Sequence, residues 1–174
     1  MTGLVEALSE ARIGRTFNQY AGSELRRARL VDYLERRADA RYVLVGEAAG
    51  YRGARVSGVP FTSERQLSGT GPAEATATIV HRTLAELELE DDVLLWNVVP
   101  THPHRPGVPR SNRRPTVGEV REAMRFLLEL AAGRRTIAVG RLAHSVLGGR
   151  YVRHPSHGGS ARFRAGLLLS ISPR

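Results

Sequence analysis

Three side chains stand where short apolar runs end, and each is of a type that sites use for chemistry. Glu47 follows Tyr42-Val43-Leu44-Val45-Gly46, Asn97 follows Val93-Leu94-Leu95-Trp96, and His154 follows Tyr151-Val152-Arg153. Short β-branched and apolar runs read as buried parallel strands. The loop leaving such a strand lies at the carboxyl edge of an open α/β sheet, where ligands bind. A carboxylate there, with aromatic ring faces nearby, suits a site that holds a planar ligand and does chemistry on it. An asparagine there offers one carbonyl acceptor and one amide donor on a rigid plane, enough to read one edge of a planar ligand.

The loops after these strands carry their own signals. The first runs from Gly46 to Leu67 and contains Gly46, Gly50, Gly53 and Gly58, which allow sharp turns and close approach. It also holds Tyr51 and Phe61, whose ring faces suit a planar ligand. No Gly-Lys-Ser/Thr follows, so it is not a P-loop, and no Gly-x-Gly-x-x-Gly marks it as a dinucleotide site. The second loop, 97–115, is rich in Pro and Arg, and loops of that length are usually functional. Its Arg105, Arg110, Arg113 and Arg114 suit a phosphate backbone. His102 and His104 lack a Cys or carboxylate partner and read as loop packing or phosphate contact, not as a metal site.

The elements that must position these groups alternate. A short helix and an irregular lead-in occupy Met1 to Gly22. Ser23 caps a helix from about Glu24 to Ala38, with Leu25, Leu30, Val31 and Leu34 facing inward. The first strand spans residues 42–46. Pro72 is placed as a first helical residue, and Ile79, Val80, Leu84 and Leu87 continue that helix to about Glu88. Thr116 and Glu119 form a capping box for a helix through Ala132, with Val120, Met124, Leu127 and Leu128 inward. Thr136 to Val139 is the third strand, Arg141 to Leu147 a helix stopped by Gly148-Gly149, and Tyr151 to Arg153 the fourth strand. The tail is a Leu-rich helix or strand. The expected fold is a three-layer α/β/α domain, one unit over 1–174, on a small parallel sheet of about four strands.

Composition narrows the class of partner. The 174 residues carry 26 cations against 17 acids, a net charge of +9, and every cation is Arg. Arg grips phosphate bidentately and stacks on bases, so a nucleic acid is the expected partner. There is no Cys, which removes disulfides, thiolate catalysis and Cys-ligated zinc or iron–sulfur centres. No apolar run approaches membrane-span length and no signal-peptide pattern opens the chain, so a soluble, cytoplasmic monomer is expected.

Three stretches resemble the motifs of the uracil-DNA glycosylase superfamily, in its family 4-like branch. They are Gly46-Glu47-Ala48-Ala49-Gly50 with Gly58-Val59-Pro60-Phe61, then Asn97-Val98-Val99 with Asn112-Arg113-Arg114-Pro115-Thr116, then His154-Pro155-Ser156. Ala49 replaces the usual Pro, Trp96 replaces the usual Thr, and the four cluster-binding cysteines of family 4 proper are missing. The resemblance implies a cluster-free relative that needs no metal or organic cofactor and acts on uracil-containing DNA.

What the resemblance implies for each residue follows from uracil chemistry. Phe61 would stack on the base, and Asn97 would read N3–H and O4, a pair that cytosine reverses. His154 would hydrogen-bond O2, where negative charge grows as the glycosidic bond breaks. Glu47 would stabilise the oxocarbenium-like sugar or orient water. Tyr51 would crowd C5 and exclude thymine. Ser156 would hold a phosphate, and Arg162 or Phe163 would fill the space left by the extruded base. Without Lys, no side-chain amine can form a Schiff base, so the expectation is a monofunctional glycosylase. Two rival readings are a silent nucleic-acid-binding domain and an α/β enzyme of free nucleosides or nucleotides.

Overall fold

Four of these apolar runs pair into one parallel sheet in the computed structural model, which describes residues 1–171. They are β1 (Tyr42–Ala48), β2 (Val93–Val99), β3 (Arg135–Val139) and β4 (Arg150–Val152), in spatial order β2-β1-β3-β4. All seven residues of β2 are buried, as expected of a strand covered on both faces. From β1 the chain steps outward to β2, then crosses back to β3 on the other side. With right-handed crossovers, reversing direction covers both faces with helices. The reversal also opens a crevice at the carboxyl ends of β1 and β3, the switch point where such sheets bind ligands.

The helices are α1 (Thr2–Glu10), α2 (Glu24–Arg36), α3 (Ala54–Ser57), α4 (Glu64–Ser68), α5 (Ala75–Glu86), α6 (Val117–Ala131), α7 (Arg141–Leu147) and α8 (Ser160–Ser170). The expected caps form: Ser23 Oγ accepts from the Arg26 N–H at 3.3 Å, opening α2. At α6, Thr116 Oγ1 accepts from the Glu119 N–H at 3.2 Å while Glu119 accepts from the Thr116 N–H at 2.9 Å. The N–H of Leu95 on the edge strand β2 donates to the Tyr33 hydroxyl of α2 at 2.6 Å, which satisfies a donor on an edge that has no strand neighbour.

Several sequence expectations need correction. Leu25 and Leu128 are each 60% exposed; the inward stripes run through Leu30, Tyr33 and Leu34 on α2, and through Ala123, Phe126, Leu127 and Leu130 on α6. An i, i+3, i+4 stripe fits the core, and Leu25 and Leu128 fall off it. Pro72 does not start α5, because hydrogen bonds from Arg65 to the carbonyls of Gly71 and Pro72 hold that turn against α4. α5 begins at Ala75, after Glu74. The tail is helical, and Phe163 is fully buried on α8, so it packs the core and is not free to fill a gap in DNA. β1 and β2 run past the expected ends, so Glu47 and Asn97 lie inside the last turns of pleat, not after them.

Candidate active site

A cavity of about 440 Å³ opens at the carboxyl ends of the strands, and Glu47, Phe61, Asn97 and His154 all line it. The register brings the first three together. Gly46 of β1 lies opposite Asn97 of β2. A Cβ on Gly46 would stand 2.3 Å from Phe61 Cζ and 2.9 Å from Asn97 Oδ1. The ring tip and the amide therefore share the space that the missing side chain leaves. Asn97 is buried, and none of its side-chain atoms has a hydrogen-bond partner among the described residues. Its amide lines the cavity without a protein partner, which leaves its donor and acceptor open to whatever occupies that space.

Phe61 reaches this position at a conformational cost. Its φ of 52° is left-handed, which a bulky side chain adopts only where its surroundings enforce it. The surroundings do so here. Ser57 Oγ donates to the Thr62 carbonyl at 2.6 Å and accepts from the Val59 N–H at 3.1 Å. Thr62 Oγ1 donates to the Pro60 carbonyl at 3.0 Å, and the Tyr20 hydroxyl donates to the Gly58 carbonyl at 3.0 Å. The turn is pinned from both sides.

His154 enters from the segment after β4 and packs its Cβ at 3.4 Å from where a Cβ on Gly140 would be, at the end of β3. Gly140 has φ 85°. The Ser156 N–H donates to His154 Nδ1 at 3.2 Å. A ring nitrogen that accepts an N–H carries no proton, so the neutral ring is protonated on Nε2. Burial, and next the charges of His157 and Arg153, lower the His154 pKa below the usual histidine range. The imidazole is therefore neutral at physiological pH and holds one N–H donor.

Glu47 is half-buried, and its pKa is raised by that burial while Arg114 pulls it down. A second carboxylate, Glu74, lines the same cavity and was not singled out from the sequence. A Cβ on Gly50 or on Gly53 would stand 2.2 Å from its oxygens. The one available signal was the pair of glycines, whose missing side chains imply a neighbour seated on the loop.

The remaining candidates divide. Ser156 lines the cavity, and its hydroxyl is hydrogen-bonded to His154 Nδ1 at 2.8 Å and to His157 Nδ1 at 3.0 Å. Tyr51 does not line the cavity; its ring lies under the Arg52 guanidinium, 5.3 Å from the centroid, and its N–H donates to Asn112 Oδ1. Arg105, Arg110, Arg114 and Arg162 are exposed. Arg113 is not free for a phosphate, since it makes a bidentate ion pair with buried Glu119, at 2.8 and 2.5 Å, and donates to the His104 carbonyl. Its charge is already matched, so it braces the loop.

His102 is fully buried and bonded through Nδ1 to the Ala49 carbonyl at 2.8 Å, which ties the second loop to the end of β1. No group of three or more His, Cys, Asp or Glu is placed to hold a metal among the described residues. With no Cys in the chain, the donor set does not fit an iron–sulfur cluster. No helix is long and apolar enough to cross a membrane among the described residues.

Comparisons with known proteins bear on the family and the fold. The family model described as Uracil DNA glycosylase superfamily matches residues 34–174. No curated protein sequence matches the chain. The crystal structure of wild-type SMUG2 from Pedobacter heparinus is similar, with a TM-score of 0.71 and 12% sequence identity over 97% of this chain and 95% of that chain. At that identity the likeness speaks for the fold alone.

Proposed function

The chain belongs to the uracil DNA glycosylase superfamily, and from that premise we propose that it hydrolyses the N-glycosidic bond of a deoxyuridine turned out of DNA, leaving free uracil and an abasic site. The observation that carries this reading is the shared space above Gly46, where the Phe61 ring and the unpartnered Asn97 amide meet in the cavity that also holds Glu47 and His154. A ring face beside a planar donor–acceptor pair selects a planar base by its edge. Asn97 takes N3–H on its Oδ1 and gives an N–H to O4; cytosine, with an acceptor at N3 and a donor at N4, meets like against like.

The chemistry follows from the charges. As the bond from C1′ to N1 lengthens, its electron pair leaves with the base and negative charge collects on O2. The neutral His154 donates its Nε2 proton toward that oxygen in a hydrogen bond without having to lose an acidic proton first. The sugar becomes oxocarbenium-like, and the Glu47 carboxylate offsets that charge. Water adds to C1′. Turning the nucleotide out of the stack costs roughly a few kcal/mol, and the exposed Arg105, Arg110, Arg114 and Arg162 suit contacts with the DNA backbone.

Release of uracil from single- and double-stranded uracil-containing oligonucleotides tests the proposal, with free deoxyuridine as a parallel substrate. The expected result is free base from an oligonucleotide and an abasic strand that breaks only in hot alkali. Borohydride should trap no adduct, because the chain has no Lys. Turnover of deoxyuridine alone identifies a nucleoside enzyme, and DNA binding with no turnover identifies a silent module; either outcome sinks the proposal.

A further inference from the structure

Glu74 is a carboxylate that local structure does not need. It occupies the N-cap position of α5, where Asp, Asn, Ser or Thr would satisfy the first helical N–H groups, yet its side chain makes no capping hydrogen bond. It reaches the other way, across the chain, onto the backbone of Gly50 and Gly53 and into the cavity. Any side chain at either glycine would collide with its oxygens. The charged and titratable groups that share the cavity are Glu47 from β1, Arg113 from the loop before α6, Arg141 from α7, and His154 and His157 after β4. None of them forms an ion pair with Glu74 among the described residues. Glu74 is half-buried, and partly burying a carboxylate without a partner costs stability; such groups cluster where a site uses them.

We propose that Glu74 is the catalytic base of the reaction, taking the proton of the attacking water while Glu47 serves the sugar cation. The assignment rests on the glycosylase reading above. The two acids differ in a way that fits a division of labour. Arg114 opposes the effect of burial at Glu47 and favours a standing negative charge, which suits an electrostatic role. At Glu74 burial acts alone and raises the affinity for a proton. Two carboxylates of one site whose environments push them apart take different tasks. In the step itself, the water oxygen bonds to C1′, the C1′–N1 pair departs with uracil, and one water proton passes to the Glu74 carboxylate. That proton then returns to solvent or to the released base, so no other reactant is needed.

The decisive variant is Glu74→Gln, which keeps the size and the seat on Gly50 and Gly53 but cannot accept the proton. Single-turnover uracil release from a single-stranded oligonucleotide should fall about 100-fold or more, with DNA affinity unchanged and the melting temperature no lower than the parent's. Azide attacks without deprotonation, so it should restore base release to Glu74→Ala and not to Glu47→Ala. A Glu74→Gln rate within about threefold of the parent would leave Glu74 a buttress of the Gly50–Gly53 turn and overturn the assignment, as would failure of azide to rescue Glu74→Ala. A parent protein that releases no uracil is recognised without any variant and overturns the glycosylase reading itself, and this assignment with it.

Discussion

The backbone N–H of Ser156 donates to Nδ1 of His154 at 3.2 Å, and this contact decides where the imidazole keeps its proton. A backbone donor cannot be mutated away by changing the side chain. Ser156→Ala should therefore keep the tautomer and lose less than about tenfold in turnover. His154→Ala removes the O2 donor and should lose about 100- to 1,000-fold, with DNA affinity little changed. Single-turnover rates and a binding titration separate the two.

His154 also sets a pH limit. Its pKa is lowered, so the ring is neutral above that value and gains a proton only as pH falls through it. The second proton must go to Nδ1, where it opposes the Ser156 N–H. Uracil release should hold steady from neutral pH down into the usual histidine range. A rate that rises as pH falls through that range would show that the imidazolium is the active form.

Asn97→Asp replaces a donor–acceptor pair by acceptors only. Release of uracil should drop about 100-fold or more, since the acid at this buried position repels O4 instead of donating to it. Unchanged uracil release would remove Asn97 from base reading.

Gly46→Ala tests the shared space directly. The new Cβ would lie 2.3 Å from Phe61 Cζ, and the pinned turn gives that ring little room to retreat. The expected cost is about 1–3 kcal/mol of stability and a loss of turnover of about 10- to 100-fold from misplacing the stacking ring. Urea denaturation and uracil release measure the two parts.

The Arg113–Glu119 pair is a prediction about stability alone. The Arg113 guanidinium, aided by the Thr116 and Arg15 N–H groups, holds the Glu119 carboxyl down to about 2. A depressed carboxyl stabilises the fold above its unfolded pKa, and that contribution is lost as pH falls from about 4.5 toward 2. Glu119→Gln should cost about 3 kcal/mol at neutral pH and flatten the acid side of the stability curve. Denaturant titrations from neutral pH to pH about 2 read out both effects.

Much of this architecture is decided by adjacent residues and can be read from them. Short continuous apolar runs such as Val93 to Trp96 favour a strand covered on both faces, and that is what they form. Thr116 and Glu119 stand three apart at a helix start, so their reciprocal hydrogen bonds are local as well. A polar residue at the end of such a run must lie at the carboxyl edge of the sheet, which is why Glu47, Asn97 and His154 could be marked.

Contacts between distant segments needed the tertiary structure. Glu119 reads as a capping residue, but only the path of the preceding loop brings Arg113 onto its carboxylate. Phe163 lies near the His-Pro-Ser stretch in sequence, yet the rotation of α8 turns it into the core. Tyr51 belongs to the right loop, but its ring lies outside the cavity. Glu74 sits before a helix with no motif around it, and it enters the site because Gly50 and Gly53 leave room for its oxygens. Hydrophobic periodicity reports which way a residue faces within its own element; which side chains meet across a cavity depends on how loops close over one another, and that is settled only by packing.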